Sequence, residues 1–340
     1  MVYELSENYI PQNFPHRTDQ INKIQKVLDN FNKFSYGQNL LIQGLTGSGK
    51  TSIVKKVLND FGKYYYVNTT SLYTTFKILK YLNNGGVPND GIGILNGRFQ
   101  EKLKNNPMPI VIDETNRIRD LENFMNCINS MYRTIQVPFI IITNKLTFLR
   151  EIPDDARHTL FMEVVKFPSY NANELYDILV DRINLVRNQI PEIEERTLKL
   201  ICALASKEGD ARTAIRIIGK CIYDNNFNDE YIYNKYNEMQ QEDWIYWINN
   251  MGISEKAFLE VFLDLVLVKQ NINSLDIWNN MKQYTPARIS QLITVFENYG
   301  IIKSVYQSVS GKRGRGYRVV SFVNDEIKNK IDKILMESKI

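Results

Sequence analysis

Short hydrophobic runs alternate with stretches of helical periodicity over the first 170 residues of the chain. The runs occupy residues 39–43, 63–69, 108–113, 137–144 and 159–167. Because they are almost continuously apolar, they indicate strands that are buried on both faces of a sheet. Helical stretches lie between them, at residues 50–61, 72–83, 94–105 and 119–135. This alternation predicts an α/β domain with a five-stranded parallel sheet.

The pattern changes after residue 170. Residues 171–250 have apolar positions at helical spacing and no strand-like run, with Asn171 and Asp210 placed as helix caps. From residue 251 onward, helices near 255–269, 273–282 and 285–299 precede two strands near 301–307 and 316–322. We therefore predict three domains, at residues 1–170, 171–250 and 251–340.

The helix predicted over 285–299 has a clear apolar face. Thr285 is placed as its cap and Pro286 in its first turn. Apolar residues recur at positions 289, 292, 293 and 296. The positions left for solvent are Arg288, Ser290, Gln291 and Thr294. Since another helix precedes it across a short turn, we expect the recognition helix of a winged helix-turn-helix domain that binds double-stranded DNA.

Composition narrows the class of protein. Of 340 residues, 44% are hydrophobic and 24% charged, the balance of a globular protein, and no apolar run is long enough to span a bilayer. Three cysteines at unrelated spacings and two histidines argue against a disulfide framework or a zinc cluster. We expect a cytoplasmic, nucleoid-associated protein without a membrane partner.

The net charge of +4 is unevenly distributed. Residues 255–340 contain 13 Lys/Arg and 9 Asp/Glu, so this segment alone carries the excess of 4. A glycine-rich turn, "SGKRGRG", joins the last two predicted strands and contains Lys312, Arg313 and Arg315. Such a wing can neutralise phosphates or enter a minor groove. The alternative is a winged helix that contacts protein and has a solvated basic loop.

A phosphate-binding loop follows the first predicted strand. Residues 44–51 read "GLTGSGKT", which satisfies G-x-x-x-x-G-K-[ST] between a strand and an amphipathic helix. We expect Lys50 to reach the β and γ phosphates of ATP and Thr51 to ligate Mg²⁺. The expected contacts to ATP or ADP in this loop are Gly44, Thr46, Gly47, Ser48, Gly49, Lys50, Thr51 and Ser52.

Hydrolysis needs further groups at the ends of neighbouring strands. Asp113 and Glu114 follow a buried strand, which suits a magnesium ligand and a residue that polarises water. Asn144 ends the next strand and would orient that water. The alternatives are solvated strand-end acids and a turn asparagine.

Two arginines complete the predicted catalytic set. Arg212, at the start of a helix, is placed to contact the nucleotide across a domain closure, although a surface salt bridge would also explain it. Arg157 precedes the fifth strand and is the candidate arginine finger, with Arg150 as its competitor.

Together these motifs, with Gly-Asp-Ala-Arg at residues 209–212, resemble an AAA+ ATPase. More narrowly, the chain is similar to the archaeal replication initiators related to the eukaryotic origin recognition complex and its helicase-loading partner. Residues 9–24, "YIPQNFPHRTDQINKI", are similar to the family's N-terminal element, which packs beside adenine. The resemblance therefore implies that Pro15, His16 and Arg17 lie near the base.

The resemblance also implies an architecture and partners. It implies an αβα AAA+ core, a helical lid and a C-terminal winged helix. Residues 71–93 occupy the place of a family insertion that is used against DNA, and a core or surface helix without a DNA contact is the alternative. The implied function is an ATP-dependent initiator at a replication origin, with ATP and ADP as a conformational switch. The replicative helicase and paralogous initiators would be its protein partners.

Two departures from the family pattern affect the expected turnover. Asn116 stands where the family has an aspartate, and the segment "PDDARHT" retains only Arg157 of an arginine-rich element, with Asp155 at the first basic position. We therefore expect a slow ATPase. The rival functions are a transcriptional regulator with a structural nucleotide, and a signalling or transposition ATPase that acts on protein.

Overall fold

The computed structural model describes residues 3–86, 90–249, 251–298, 301–308 and 316–337. The chain divides into two compact units, residues 1–233 and 234–340. The three domain boundaries predicted above stay a prediction.

A five-stranded parallel sheet forms the centre of the first unit. Its strand order is β2-β3-β4-β1-β5, and every neighbouring pair is parallel. Alternate residues of each central strand enter different cores: Leu41 faces one cluster, and Leu40 and Ile42 face another. Burial on both faces explains the continuous hydrophobic runs, and the predicted sheet is confirmed. The strands are β1 (Leu40–Gly44), β2 (Tyr65–Asn68), β3 (Ile110–Asp113), β4 (Phe139–Thr143) and β5 (Glu163–Phe167).

Helices surround and follow this sheet. Those within the α/β part are α1 (Thr18–Phe34), α2 (Lys50–Phe61), α3 (Thr75–Leu82), α4 (Ile92–Asn105), α5 (Leu121–Ile135) and α6 (Asp154–Leu160). Three more follow β5, namely α7 (Ala172–Val186), α8 (Glu195–Ala205) and α9 (Ala211–Tyr223). The helix α10 (Asp229–Asn249) begins in the first unit and continues into the second.

The fifth strand is shorter than predicted. Residues 159–160 end α6, where Leu160 is buried, and Phe161 ends the helix in a left-handed conformation with φ of 36°. Helix α1, which was not predicted, has buried Ile24, Val27 and Leu28 against the same core as β1.

The second unit has helices around a three-stranded sheet of order β6-β8-β7. Its elements are α11 (Ile253–Val268), β6 (Ile272–Asn273), α12 (Ser274–Asn280), α13 (Pro286–Asn298), β7 (Ile302–Ser308), β8 (Gly316–Phe322) and α14 (Asp325–Glu337). The strands β7 and β8 pair antiparallel. This is the element order of a winged helix-turn-helix domain. Strand β6, with two residues, was too short to predict. Over the described ranges, no helix combines the length and the apolarity that crossing a bilayer requires.

Candidate functional site

The loop between β1 and α2 approaches its neighbours so closely that only glycine fits. Gly47 and Gly49 have φ of 74° and 91°, in the left-handed region. A Cβ atom on Gly47 would overlap the Asp210 carboxylate, and one on Gly44 would overlap the carbonyl of Phe167. The main chain therefore forms a concave turn at the N-terminus of α2, which is a favourable place for phosphate.

Lys50 is folded back into this turn. Its side chain belongs to a residue only 8% exposed, and its Nζ donates to the carbonyls of Gly44 and Leu45, both at 2.8 Å. Burial lowers the pKa of Lys50 to about 8, while Glu114 and Asp113 act to raise it. Its ammonium is therefore poorly solvated and would be stabilised by an anion in the loop.

Asp113 is held by several hydrogen bonds at the end of β3. Thr51 Oγ1 donates to Asp113 Oδ2 at 2.9 Å, and Tyr66 Oη donates to the same oxygen at 2.5 Å. The main-chain N–H of Glu114 donates to Oδ1 at 2.9 Å. The predicted magnesium pair, Thr51 and Asp113, is thus in direct contact. The sequence interpretation missed Tyr66, whose only signal was its place in the neighbouring strand β2.

A cleft opens beside the loop and brings most predicted residues together. Those that line it are Pro15, Thr46, Gly47, Gly49, Lys50, Thr51, Ser52, Glu114, Asn144 and Arg212. The remaining predicted residues of this site, His16, Arg17, Gly44, Ser48, Asp113 and Arg157, are not part of the lining. His16 is exposed and contacts Asp177, at 2.7 Å from Nε2 to Oδ2. Arg157 forms an ion pair with Asp154 on its own helix.

The cleft also has walls that the sequence interpretation missed. They are formed by Glu7, Pro11, Asn13, Phe14, Tyr170, Ile178, Asp181, Arg182, Ala211 and Ile215. Phe14, Ile178 and Ile215 are apolar members of this lining, and apolar contacts suit a flat base. The last two belong to α7 and α9, where their periodicity indicated only core positions.

The turn before α9 touches the phosphate loop. Asp210 caps α9 by accepting from Arg212 N–H at 2.8 Å, and it pairs with the Arg212 guanidinium at 2.7 Å. Ala211 N–H donates to the Gly47 carbonyl at 3.4 Å. Arg212 is therefore anchored beside the loop, and it lines the cleft.

These groups fit a nucleoside triphosphate with Mg²⁺. The glycines let the loop turn tightly against Asp210 and Phe167, the loop has a buried ammonium, and hydroxyl and carboxylate oxygens stand beside it. Oxygen ligands of this kind are the ones that magnesium prefers.

In the second unit, the predicted recognition helix α13 uses part of its surface for contacts within that unit. Its apolar stripe, Ile289, Leu292, Ile293 and Phe296, is buried. Thr285 Oγ1 accepts from Arg288 N–H at 3.3 Å as a helix cap. The Arg288 guanidinium donates to Ser254 Oγ at 2.8 Å and to Gln291 Oε1 at 3.3 Å. Ser290 and Gln291 are exposed. Lys312, Arg313 and Arg315 lie outside the described residues.

No protein-family model matches the chain. An ORC1-type DNA replication protein of Thermoplasma volcanium is 29% identical over 98% of this chain and 91% of the relative. ORC1-type DNA replication protein 1 of Sulfurisphaera tokodaii is 33% identical over 63% of this chain and 58% of its own length.

A solved structure, that of the Aeropyrum pernix ORC1 protein in complex with DNA, has the same fold. It covers 97% of this chain with a TM-score of 0.77 at 24% sequence identity, and 96% of its own chain is covered. The predicted α/β AAA+ fold class is confirmed. The chain is thus similar to the ORC1-type DNA replication proteins in sequence along nearly its whole length and in fold, which confirms the predicted family resemblance.

Proposed function

We propose that the protein is an ATP-dependent replication initiator. In this role it binds double-stranded DNA at an origin and helps to recruit or load the replicative helicase, alone or with paralogous initiators. The observation that carries the proposal is the convergence of Lys50, the Thr51–Asp113 pair and Arg212 around one cleft. The similarity to relatives that are named ORC1-type DNA replication proteins supports DNA as the partner.

The cleft residues divide into binding and hydrolytic roles. Lys50 and the main-chain N–H groups of the loop hold the phosphates of ATP or ADP, and the wall with Phe14 holds the base. Thr51 and Asp113 would hold Mg²⁺, which when bound neutralises developing charge on the phosphates. Glu114 and Asn144 orient the attacking water, and Arg157 is the candidate finger for a neighbouring subunit or for the lid.

Nucleotide binding acts mainly as a conformational switch. Arg212 lies on the turn that contacts the phosphate loop, so phosphates that attract Arg212 compete with Asp210 for its guanidinium. The competition would shift this turn and the helices that follow it. Turnover is slow, because Arg157 is paired with Asp154 and lacks the basic neighbours of the family pattern.

Two surfaces contact DNA in this proposal. The helix α13 and the basic wing contact one duplex, with phosphate contacts supplying most of the affinity. The predicted insertion at residues 71–93 has a cationic cluster that the sequence did not reveal. The Tyr73 ring lies under Lys77 at 3.8 Å from Nζ and near Arg119 at 4.4 Å from Cζ. Arg119 comes from beyond β3, so only the fold adds it to the two insertion residues.

Changing Lys312, Arg313 and Arg315 together to alanine is expected to weaken duplex binding by at least about tenfold at physiological salt, and to flatten its salt dependence. The measurement is fluorescence anisotropy on DNA recovered by the purified protein from genomic fragments. The control removes three exposed cations of the first unit, Lys26, Lys33 and Lys104, and should bind as the wild type does. Random DNA recovery that the triple change leaves unaltered would contradict the proposal.

A footprint that is identical with ATP and ADP, without turnover, would instead favour the transcriptional regulator. A signalling or transposition ATPase would keep its main activity after residues 255–340 are removed.

ATP affinity is expected to fall as the pH rises above about 8. The pKa of Lys50 lies at about 8 because of burial, so the ammonium loses its proton above that pH, and ATP binding must restore it. The affinity should drop by up to about tenfold for each pH unit. Isothermal titration calorimetry in buffers of different ionisation enthalpy should detect the proton taken up.

Without ATP, Lys50 makes the folded chain more stable as the pH rises, whereas ATP affinity falls. Between pH 8 and 10.5 the unfolded chain binds a proton at Lys50 that the folded chain does not. Lys50 therefore contributes a free energy of unfolding that increases over this interval. An ATP affinity that stays constant from pH 7 to 9.5 would contradict the placement of Lys50 against the phosphates.

A further inference from the structure

A buried arginine lies behind the phosphate loop. Arg17 is 1% exposed and does not line the cleft. Its guanidinium contacts main-chain carbonyls and two aromatic rings, and no carboxylate within the described part of the chain pairs with it. Burying a charge without an anionic partner is costly. An interior Arg17 therefore calls for a role that a neutral side chain cannot fill.

The guanidinium joins two segments that are distant in sequence. Arg17 Nε donates to the Ser48 carbonyl of the phosphate loop at 3.3 Å. Its Nη2 donates to the Pro168 carbonyl at 2.6 Å, in the connection between β5 and α7. The Tyr170 ring of that connection lies 3.8 Å from Arg17 Cζ. One planar group thus fixes the loop against the connection.

The connection at residues 168–171 also contacts the turn that contains Arg212. Tyr170 N–H donates to the Gly209 carbonyl at 3.2 Å. The Tyr170 hydroxyl lies 2.9 Å from the position that a Cβ atom on Gly49 would take. The phosphate loop, the connection 168–171 and the turn 209–212 therefore meet around the pair of Arg17 and Tyr170.

We propose that Arg17 is a positioning residue that transmits occupancy of the phosphate loop to the turn with Arg212. This inference rests on the proposed nucleotide binding. A ligand that draws the loop N–H groups toward phosphate moves the Ser48 carbonyl, and the guanidinium passes that shift to Pro168 and Tyr170. A guanidinium holds several acceptors in fixed directions, whereas the compact ammonium of lysine does not.

The test is hydrogen exchange on the full chain, with and without saturating ATP. In the wild type, ATP slows exchange of the amides in residues 168–171 and 209–212. Arg17→Met should bind ATP more weakly and, at saturation, lose that slowing by at least about tenfold, since charged hydrogen bonds are removed. Arg133→Met is the matched control, because Arg133 is exposed on α5 and donates to Thr159 Oγ1. It should keep the slowing.

The outcomes separate the two proposals. If the wild type binds no ATP, the proposed function fails, and this inference fails with it. If saturated Arg17→Met shows wild-type slowing, the coupling role is wrong while nucleotide binding stands. Should Arg17→Met not fold, Arg17→Lys, which retains the charge, carries the test. It should keep its melting temperature within a few degrees and lose at least about threefold of the slowing. Unchanged slowing in Arg17→Lys would then overturn the inference.

Discussion

Replacing Lys50 with methionine is expected to lower ATP affinity by at least about 100-fold, because it removes the buried ammonium that would meet the β and γ phosphates. The melting temperature without nucleotide should not fall. Burial lowers the pKa of Lys50 to about 8, so at neutral pH its charge opposes folding by about 3 kcal/mol. Loss of the bonds from Nζ to Gly44 and Leu45 offsets part of that gain. Calorimetric titration and thermal unfolding measure the two effects.

The control for this substitution is Lys56→Met on the same helix. Lys56 pairs with Asp60 at 2.6 Å and is not part of the cleft. It should bind ATP as the wild type does. Equal loss of affinity in both variants would show that methionine on α2 is itself responsible. That result would contradict the assignment of Lys50 to the phosphates.

Replacing Glu114 with glutamine is expected to reduce ATP hydrolysis by about 100-fold or more while ATP binding is retained. Glutamine has the shape of glutamate but cannot take a proton from water. Glu114 lines the cleft, and its Oε2 lies 4.0 Å from Nε of the exposed Arg117. Single-turnover hydrolysis and an equilibrium measurement of ATP affinity separate the two properties.

The matched control is Glu122→Gln, an exposed position in the first turn of α5. Its hydrolysis should equal that of the wild type. Parallel loss of binding and hydrolysis in Glu114→Gln would mean that Glu114 holds the nucleotide and does not orient water. Because the chain is expected to be a slow ATPase, the assay needs enzyme in excess of ATP.

Local sequence determined the elements of this fold. The strand runs at 39–43 and 108–113 fall within one or two residues of β1 and β3, and the 50–61 helix coincides with α2. A strand buried on both faces requires a continuous apolar run, and a helix with one apolar face requires apolar residues at helical spacing. Both patterns can be read from neighbouring residues. The prediction failed where that period was interrupted. Residues 159–160 continued an apolar run, yet they complete α6, whose Leu160 is buried beside the sheet.

The phosphate loop could also be predicted from the sequence, because its chemistry depends on consecutive residues. Its glycines, Lys50 and Thr51 need a fixed spacing between a strand and a helix, and the structure places them so. The tertiary structure alone decided which distant groups meet them. Tyr66 reaches Asp113 from a parallel strand, and Ala211 reaches Gly47 from 164 residues away by count.

The backbone conformation at Glu114 is also decided by the tertiary structure and not by local sequence. Its φ of 59° is unusual for a residue other than glycine. Thr69 Oγ1 donates to the Glu114 carbonyl at 2.6 Å, and Thr115 Oγ1 donates to the carbonyl of Ile142 at 2.5 Å. The position of Glu114 is thus set by contacts from β4 and from the end of β2.

The sequence by itself determined the elements, the phosphate loop and the family resemblance, since each is encoded in neighbouring residues. Only the tertiary structure decided that Arg17 lies behind the loop and not in the cleft, as the resemblance had implied beside the base. The contacts that hold it come from Ser48, Pro168 and Tyr170, which are far apart along the chain. Contacts between segments distant in sequence depend on how whole elements pack, and local periodicity contains no record of that packing.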